Sequence, residues 1–299
     1  MPSVRSALNL LFALAPAVAV ALPTQRIVAR QEAPAGGLSD TDILQFALTA
    51  EHLESEFYKQ GFAKFPASDF QALGLSDDQI KSLMNVGQTE AIHVSTLLST
   101  ISATGTKPVE PCQYNFDAAF ADAKTMVATA RVLEAVGVSA YLGAAPLVNS
   151  SDVLSAAASI VTVEARHQAF IRVASGAEPV PAAFDTALGP RAVFTLAAQF
   201  INSCPEGSNL NIQPFPAIAL QNAAQALPGQ TLALADAAQP EGAQFCAFVA
   251  PGGNQFAPLT NGNCEVPQGL QGEVYMMLTK SQSIDDAEVL AGPSVIQPS

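Results

Sequence analysis

Between Ser39 and about Ser203, apolar residues recur at three- and four-residue spacing, the period of amphipathic helices. The stretch LSDTDILQFALTAEHLESEFYKQGF has Ser39 as an N-cap and acidic residues in the first turn, and predicts a helix that ends near Gly61. LSDDQIKSLMNVGQTEAIHVSTLLSTISATG repeats the arrangement from Ser76 to Gly105. A linker with two prolines, Thr106–Asn115, follows. A third helix is expected from about Phe116 to Ala144, stopped before Pro146, and a fourth from about Asp152 to Ser175, closed by Gly176. RAVFTLAAQFINSC predicts a shorter fifth. Long helices with broad apolar stripes bury them best as a bundle. The linker, at ~33 Å if extended, is long enough to cross the bundle's length, so one long crossover is expected.

After Cys204 the period changes. GQTLALADA, AQFCAFVA, NQFAPLT, EVYMMLTK and VLAGPSVIQ are short apolar runs divided by Gly, Pro and Asn, and predict strands of a small β-sandwich. Their alternation is imperfect. The expected organisation is a signal peptide over 1–22, a flexible or propeptide segment over 23–38, a helical bundle over 39–205 and a β-sandwich-like domain over 206–299.

The first apolar run is the expected signal peptide. MPSVRSALNLLFALAPAVAVALPTQ places one arginine before an apolar stretch and small residues after it, the form of a secretory signal peptide cleaved within Ala19–Pro23. A propeptide trimmed at Arg30 is an alternative to a disordered mature N-terminus. No other segment reads as a membrane span. The net charge of −13 argues against nucleic acid and anionic membrane surfaces, which select basic patches. Export makes disulfides the default for Cys112, Cys204, Cys246 and Cys264. Three connectivities are open; the shortest closure pairs Cys246 with Cys264 and leaves Cys112 with Cys204. Asn149-Ser150-Ser151 is a glycosylation sequon in a polar break between helices.

The candidate chemistry lies in the helices. Two of the three histidines follow a glutamate by three residues: Glu90 with His93, and Glu164 with His167. Residues i and i+3 share a helix face, so each pair offers a carboxylate and an imidazole to one ion. A solvated helix face is the ordinary explanation of a single such pair. The other two long helices change the balance. FALTAEHLESEFY carries Glu51 and Glu54, and ATARVLEAVGVSAYLGAA carries one acid, Glu134, among apolar neighbours where a lone carboxylate is costly to bury. One Glu from each of two helices plus a Glu-x-x-His from each of the other two is the ligand set of dinuclear carboxylate bundles. Such donors suit two divalent ions, iron or manganese. His52 points about 100° round the helix from Glu51, which suits a supporting or surface role. Arg131 and Arg166 read as salt-bridge partners, and Tyr141 as either a hydrogen-bond donor to a ligand or core packing.

LQFALTAEHLESEFY, QTEAIHVSTL, ARVLEAVGVSAYLGAAP and VTVEARHQAFIR resemble the ferritin-like superfamily. More narrowly, the chain resembles secreted ferritin-like proteins that include plant desiccation-related and fungal stress-response or late-sexual-development proteins. The resemblance covers roughly residues 39 to 205, and VPQGLQGEVYMMLT and LAGPSVI resemble the β-domain appended in fungal members. It implies an all-α ferritin-like four-helix bundle with a short fifth helix and a C-terminal β-sandwich. It also implies metal ligands Glu51, Glu90, His93, Glu134, Glu164 and His167. In the superfamily the first-helix ligand is often followed seven residues on by a tyrosine, the spacing of Glu51 and Tyr58; Glu54 is the alternative ligand. Two functions follow. One is a dimetal oxidoreductase, ferroxidase or catalase-like, whose partners are metal ions and a small oxidant. The other is a non-catalytic protective protein, associated with cell wall or spore, whose β-domain meets a wall or protein partner.

Overall fold

A computed structural model describes residues 37–206, 212–222, 226–235 and 240–298. The expected signal peptide and nearly all of the segment after it lie outside the described residues. Four long helices form the bundle: α1 Asp40–Lys64, α3 Asp77–Ala103, α4 Ala123–Ala144 and α5 Ser151–Ala174. Short helices α2 Ala67–Ala72 and α6 Pro190–Ala198 flank it. Ser39 and Ser76 each close a capping box, with Asp42 and Gln79 respectively, so the sequence starts α1 and α3 where its N-cap signals fall.

Two helix boundaries differ from the reading of the sequence. α1 runs past Gly61 to Lys64 and stops before Pro66. Gly61 is a packing residue: a Cβ there would lie 2.2 Å from Met126 Cε of α4. α4 starts at Ala123 rather than near Phe116, with Asp122 as its cap. Phe116 and Phe120 precede it in turns and pack with Phe57, Phe65 and Phe70 into an aromatic cluster at one end of the bundle. Burial of those rings decides the local backbone there.

The crossover between α3 and α4 is held at several points. Gln45 of α1 donates to Lys107 O at 2.7 Å and accepts from Val109 N at 2.8 Å. His52 Nε2 lies 3.3 Å from Val109 O, so this histidine serves the crossover. Strand β1, Gln113–Tyr114, pairs with β2, Ile201–Ser203, and beside them Cys112 is bonded to Cys204. The predicted fifth helix therefore ends at Ala198, and its last residues become β2.

The C-terminal region contains a four-stranded antiparallel sheet and a two-stranded one. Their strands are β3 Thr231–Ala233, β4 Phe245–Ala250, β5 Gly253–Pro258, β6 Asn263–Glu265, β7 Val274–Thr279 and β8 Val289–Ile296. The larger sheet has the order β5-β4-β7-β8, and the smaller pairs β3 with β6. A Cys246–Cys264 disulfide joins the two sheets. Phe248, Met276 and Leu278 of the larger sheet pack towards Leu232 and Cys264 of the smaller. The opposite face, with Ala247, Val249, Tyr275 and Met277, packs on Phe46, Val136, Val193 and Leu196 of the helices. The imperfect alternation of EVYMMLTK has this cause: β7 is buried on both faces.

Candidate metal centre

The centre forms where the four long helices face one another. Glu51 comes from α1, Glu90 and His93 from α3, Glu134 from α4, and Glu164 and His167 from α5. Glu51, Glu90, Glu134 and Glu164 are each 0% exposed. Donor atoms of Glu51, Glu90, His93 and Glu164 all lie within 4.8 Å of one another, and so do those of Glu90, Glu134, Glu164 and His167. The two groups share Glu90 and Glu164. Glu54, also buried on α1, belongs to neither group.

Distances within the groups are those of converging ligands. His93 Nδ1 lies 3.1 Å from Glu90 Oε2, 3.1 Å from Glu164 Oε1 and 3.2 Å from Glu51 Oε2. His167 Nδ1 lies 2.7 Å from Glu90 Oε1 and 3.3 Å from Glu134 Oε2. Two tyrosines complete a pseudo-symmetric arrangement. Tyr58 of α1 donates to Glu134 of α4, and Tyr141 of α4 donates to Glu51 Oε1 of α1 at 2.6 Å. Each tyrosine sits seven residues after one unshared glutamate and binds the other.

Thr89 is a supporting residue that the sequence reading passed over. Its hydroxyl donates to Val86 O at 2.7 Å and lies 2.9 Å from His167 Nε2. One hydroxyl has one proton, so in this geometry Nε2 donates and Nδ1 faces the carboxylates. Only its position beside Glu90 marks it in the sequence. Arg131, expected as a salt-bridge partner, donates through Nε to Glu273 Oε1 at 2.6 Å, whereas Arg166 is exposed. Glu273 also binds Arg172 Nη1 at 2.6 Å and Gln168 at 3.0 Å. This buried cluster fixes the start of β7 to α4 and α5. The sequence reading missed Glu273 and Arg172; Glu273 lies 101 to 142 residues from its partners, and neither residue carries a spacing signal.

The electrostatics of the cluster follow from its burial. Burial pushes the Glu51 carboxyl up to about 7, against the pull of His93. Burial also raises Glu134, and raises Glu54 and Glu164 well above the carboxylate range with help from neighbouring carboxylates. For Glu90, burial opposes ionisation, but hydrogen bonds from His167 and His93 prevail and hold it at about 2. Burial opposes charge on the histidines too, yet the surrounding carboxylates raise His93 to about 12 and His167 to about 10. Even with both imidazoles charged, the carboxylates outnumber them. Protons thus hold the places of cations. Glu90 Oε1, Glu134 Oε2, both oxygens of Glu164 and His167 Nδ1 are buried without a well-directed hydrogen bond, and the close approaches they have are ion-pair contacts inside the cluster itself. Buried orphan acceptors are costly, and two divalent ions would satisfy them together. The donor set fits the metal pair.

Residues 39–177, which hold α1 to α5 and all these ligands, match the family model of the ferritin-like domain. The bundle is a ferritin-like domain. Protein rds1 of Schizosaccharomyces pombe (strain 972) is 26% identical over 211 residues, covering 66% of this chain and 51% of that protein. The chain thus spans about half the length of this curated relative. The ferritin-like domain accounts for the four ligand-bearing helices and ends before α6 and the sheets.

Proposed function

We propose that this chain is an exported ferritin-like protein that holds two divalent ions, iron or manganese, and turns over Fe(II) or peroxide. The sharing of Glu90 and Glu164 between two four-donor groups carries the reading. Glu51 and His93 would complete one ion's site, Glu134 and His167 the other's, with Glu90 and Glu164 common to both. A bound pair supplies one-electron chemistry towards dioxygen or peroxide, with a carboxylate-rich shell to balance its charge.

The chain's own residues prepare the site. Tyr58 and Tyr141 orient the unshared carboxylates through their far oxygens. Thr89 holds His167 with its second nitrogen turned inward. The apolar walls exclude water and strengthen every interaction inside. Export is supported by the N-terminal apolar run, by two disulfides of the kind an oxidising compartment leaves intact, and by the exposed sequon Asn149, our candidate glycan site. A role in stress tolerance or development is what the resemblance implies for such a centre.

Elemental analysis of the recombinant mature protein, loaded with Fe(II) or Mn(II) without oxygen, is the test. We expect close to two equivalents, and loss of both in a Glu90→Gln/Glu164→Gln variant. Wild-type protein that takes up no metal sinks the proposal. Protein that binds metal but neither consumes oxygen with Fe(II) nor clears peroxide is the non-catalytic, protective form of the reading.

A further inference from the structure

An apolar cavity of about 170 Å³ lies between α1, α3, α4 and α5, towards the end where α1 and α5 begin. Phe46, Leu97, Ala140, Ala157 and Ile160 contribute to its walls, and Glu54, Gly137 and Tyr141 line it as well. Its polar groups are nearly all engaged. The Thr96 and Thr100 hydroxyls donate to Ile92 O and Thr96 O, each at 2.8 Å, and the Tyr141 hydroxyl is held by Glu51. Asp152 is exposed. That leaves the carboxyl of Glu54, 4% exposed, as the buried polar group turned to this space.

Gly137 connects the cavity to the candidate metal centre. A Cβ at Gly137 would lie 2.8 Å from Glu164 Oε2 and 3.0 Å from Glu54 Oε1. The bare backbone at this turn of α4 therefore brings the cavity up to a carboxylate shared by both donor groups. A dry cavity of ~150 Å³ lined by aliphatic and aromatic side chains takes a benzene-sized molecule. Ions gain nothing from such walls.

We propose that this cavity binds a small, largely apolar organic molecule of about six to eight non-hydrogen atoms, with one hydroxyl directed at Glu54. Such a molecule sits against Gly137, the backbone that separates the cavity from Glu164, in the position of a substrate or effector of the dimetal centre. That last placement rests on the function proposed above; the binding itself does not.

Phenol, with benzene as its hydroxyl-free counterpart, is the probe, titrated calorimetrically into the metal-free mature protein. We expect saturable binding of both, with phenol about tenfold tighter because of one hydrogen bond. Ala157→Phe fills the cavity and should abolish both; Ala47→Leu is a second filling variant should the first fail to fold. Glu54→Leu should bring phenol down to the level of benzene. Absence of saturable binding overturns the proposal. So does phenol binding that survives both filling variants, or a phenol preference indifferent to Glu54→Leu. Phenol binding in a protein that takes up no metal would sink the metal reading alone, and metal uptake without phenol binding would sink the cavity alone.

Discussion

Tyr58 and Tyr141 each give one hydrogen bond to an unshared glutamate, and each hydroxyl is buried. Removing that donor frees the carboxylate to rotate without removing a ligand. Tyr58→Phe or Tyr141→Phe should therefore weaken metal affinity about tenfold while the protein still binds two ions, measured by competition with a chelator. Proton linkage gives a second expectation. His93 and His167 are raised in the metal-free fold from 6.5 to about 12 and about 10 by the surrounding carboxylates. A raised pKa adds stability that is complete below the unfolded value and disappears as pH climbs through the folded one. Metal-free protein should therefore lose stability to urea between pH 7 and pH 9.5. Metal-loaded protein should lose much less, because the ions replace those protons. Equal slopes for the two forms would count against the site.

At the scale of elements, glycines show why boundaries were harder to read than helices. Gly61 and Gly143 both permit close approach inside a helix, against partners of different stiffness. At Gly61 the obstacle is the flexible end of Met126, whereas at Gly143 a Cβ would fall 1.8 Å from the backbone oxygen of Leu188. Ala at position 61 gains helix propensity against a side-chain shift and should stay within about 1 kcal/mol of wild type. Gly143→Ala must move a loop whose Leu188 N–H donates to Ser139 O, and should cost ~2 kcal/mol or more in chemical denaturation. Serine caps at 39 and 76 made the starts of α1 and α3 legible, because a cap is a local hydrogen bond. The end of α1 and the start of α4 depend on Met126, Phe116 and Phe120 packing across the bundle, and no local pattern states that.

Across the whole molecule, Glu273 joins the sheets to the turns of α4 and α5 that carry candidate metal ligands: Arg131 lies one turn before Glu134, and Gln168 follows His167. Glu273→Ala leaves two arginines with their shared buried carboxylate removed, a change worth about 3–5 kcal/mol. We expect a lower melting temperature together with weaker metal retention, since the same helix turns loosen. A melting-temperature loss with unchanged metal affinity would show the two regions to be independent. The helical part alone, residues 37–206, would expose Phe46, Val136, Val193 and Leu196, which the sheet covers. It should bind a hydrophobic dye that the full chain does not.

The sequence by itself determined the helical periods, the caps, the strands after Cys204 and five of the six residues that converge, because each is a matter of local spacing or of the cost of burying one acid in an apolar stretch; the sixth, Glu51 rather than Glu54, came from the family resemblance. Only the tertiary structure decided which carboxylates stand between the two donor groups, that the tyrosines cross over to the opposite glutamate, that Glu54 faces a cavity, and that Glu273 reaches Arg131 and Arg172. Those depend on the rotation of each helix about its axis and on contacts between residues far apart in the chain. Packing fixes both, and one-dimensional spacing carries neither.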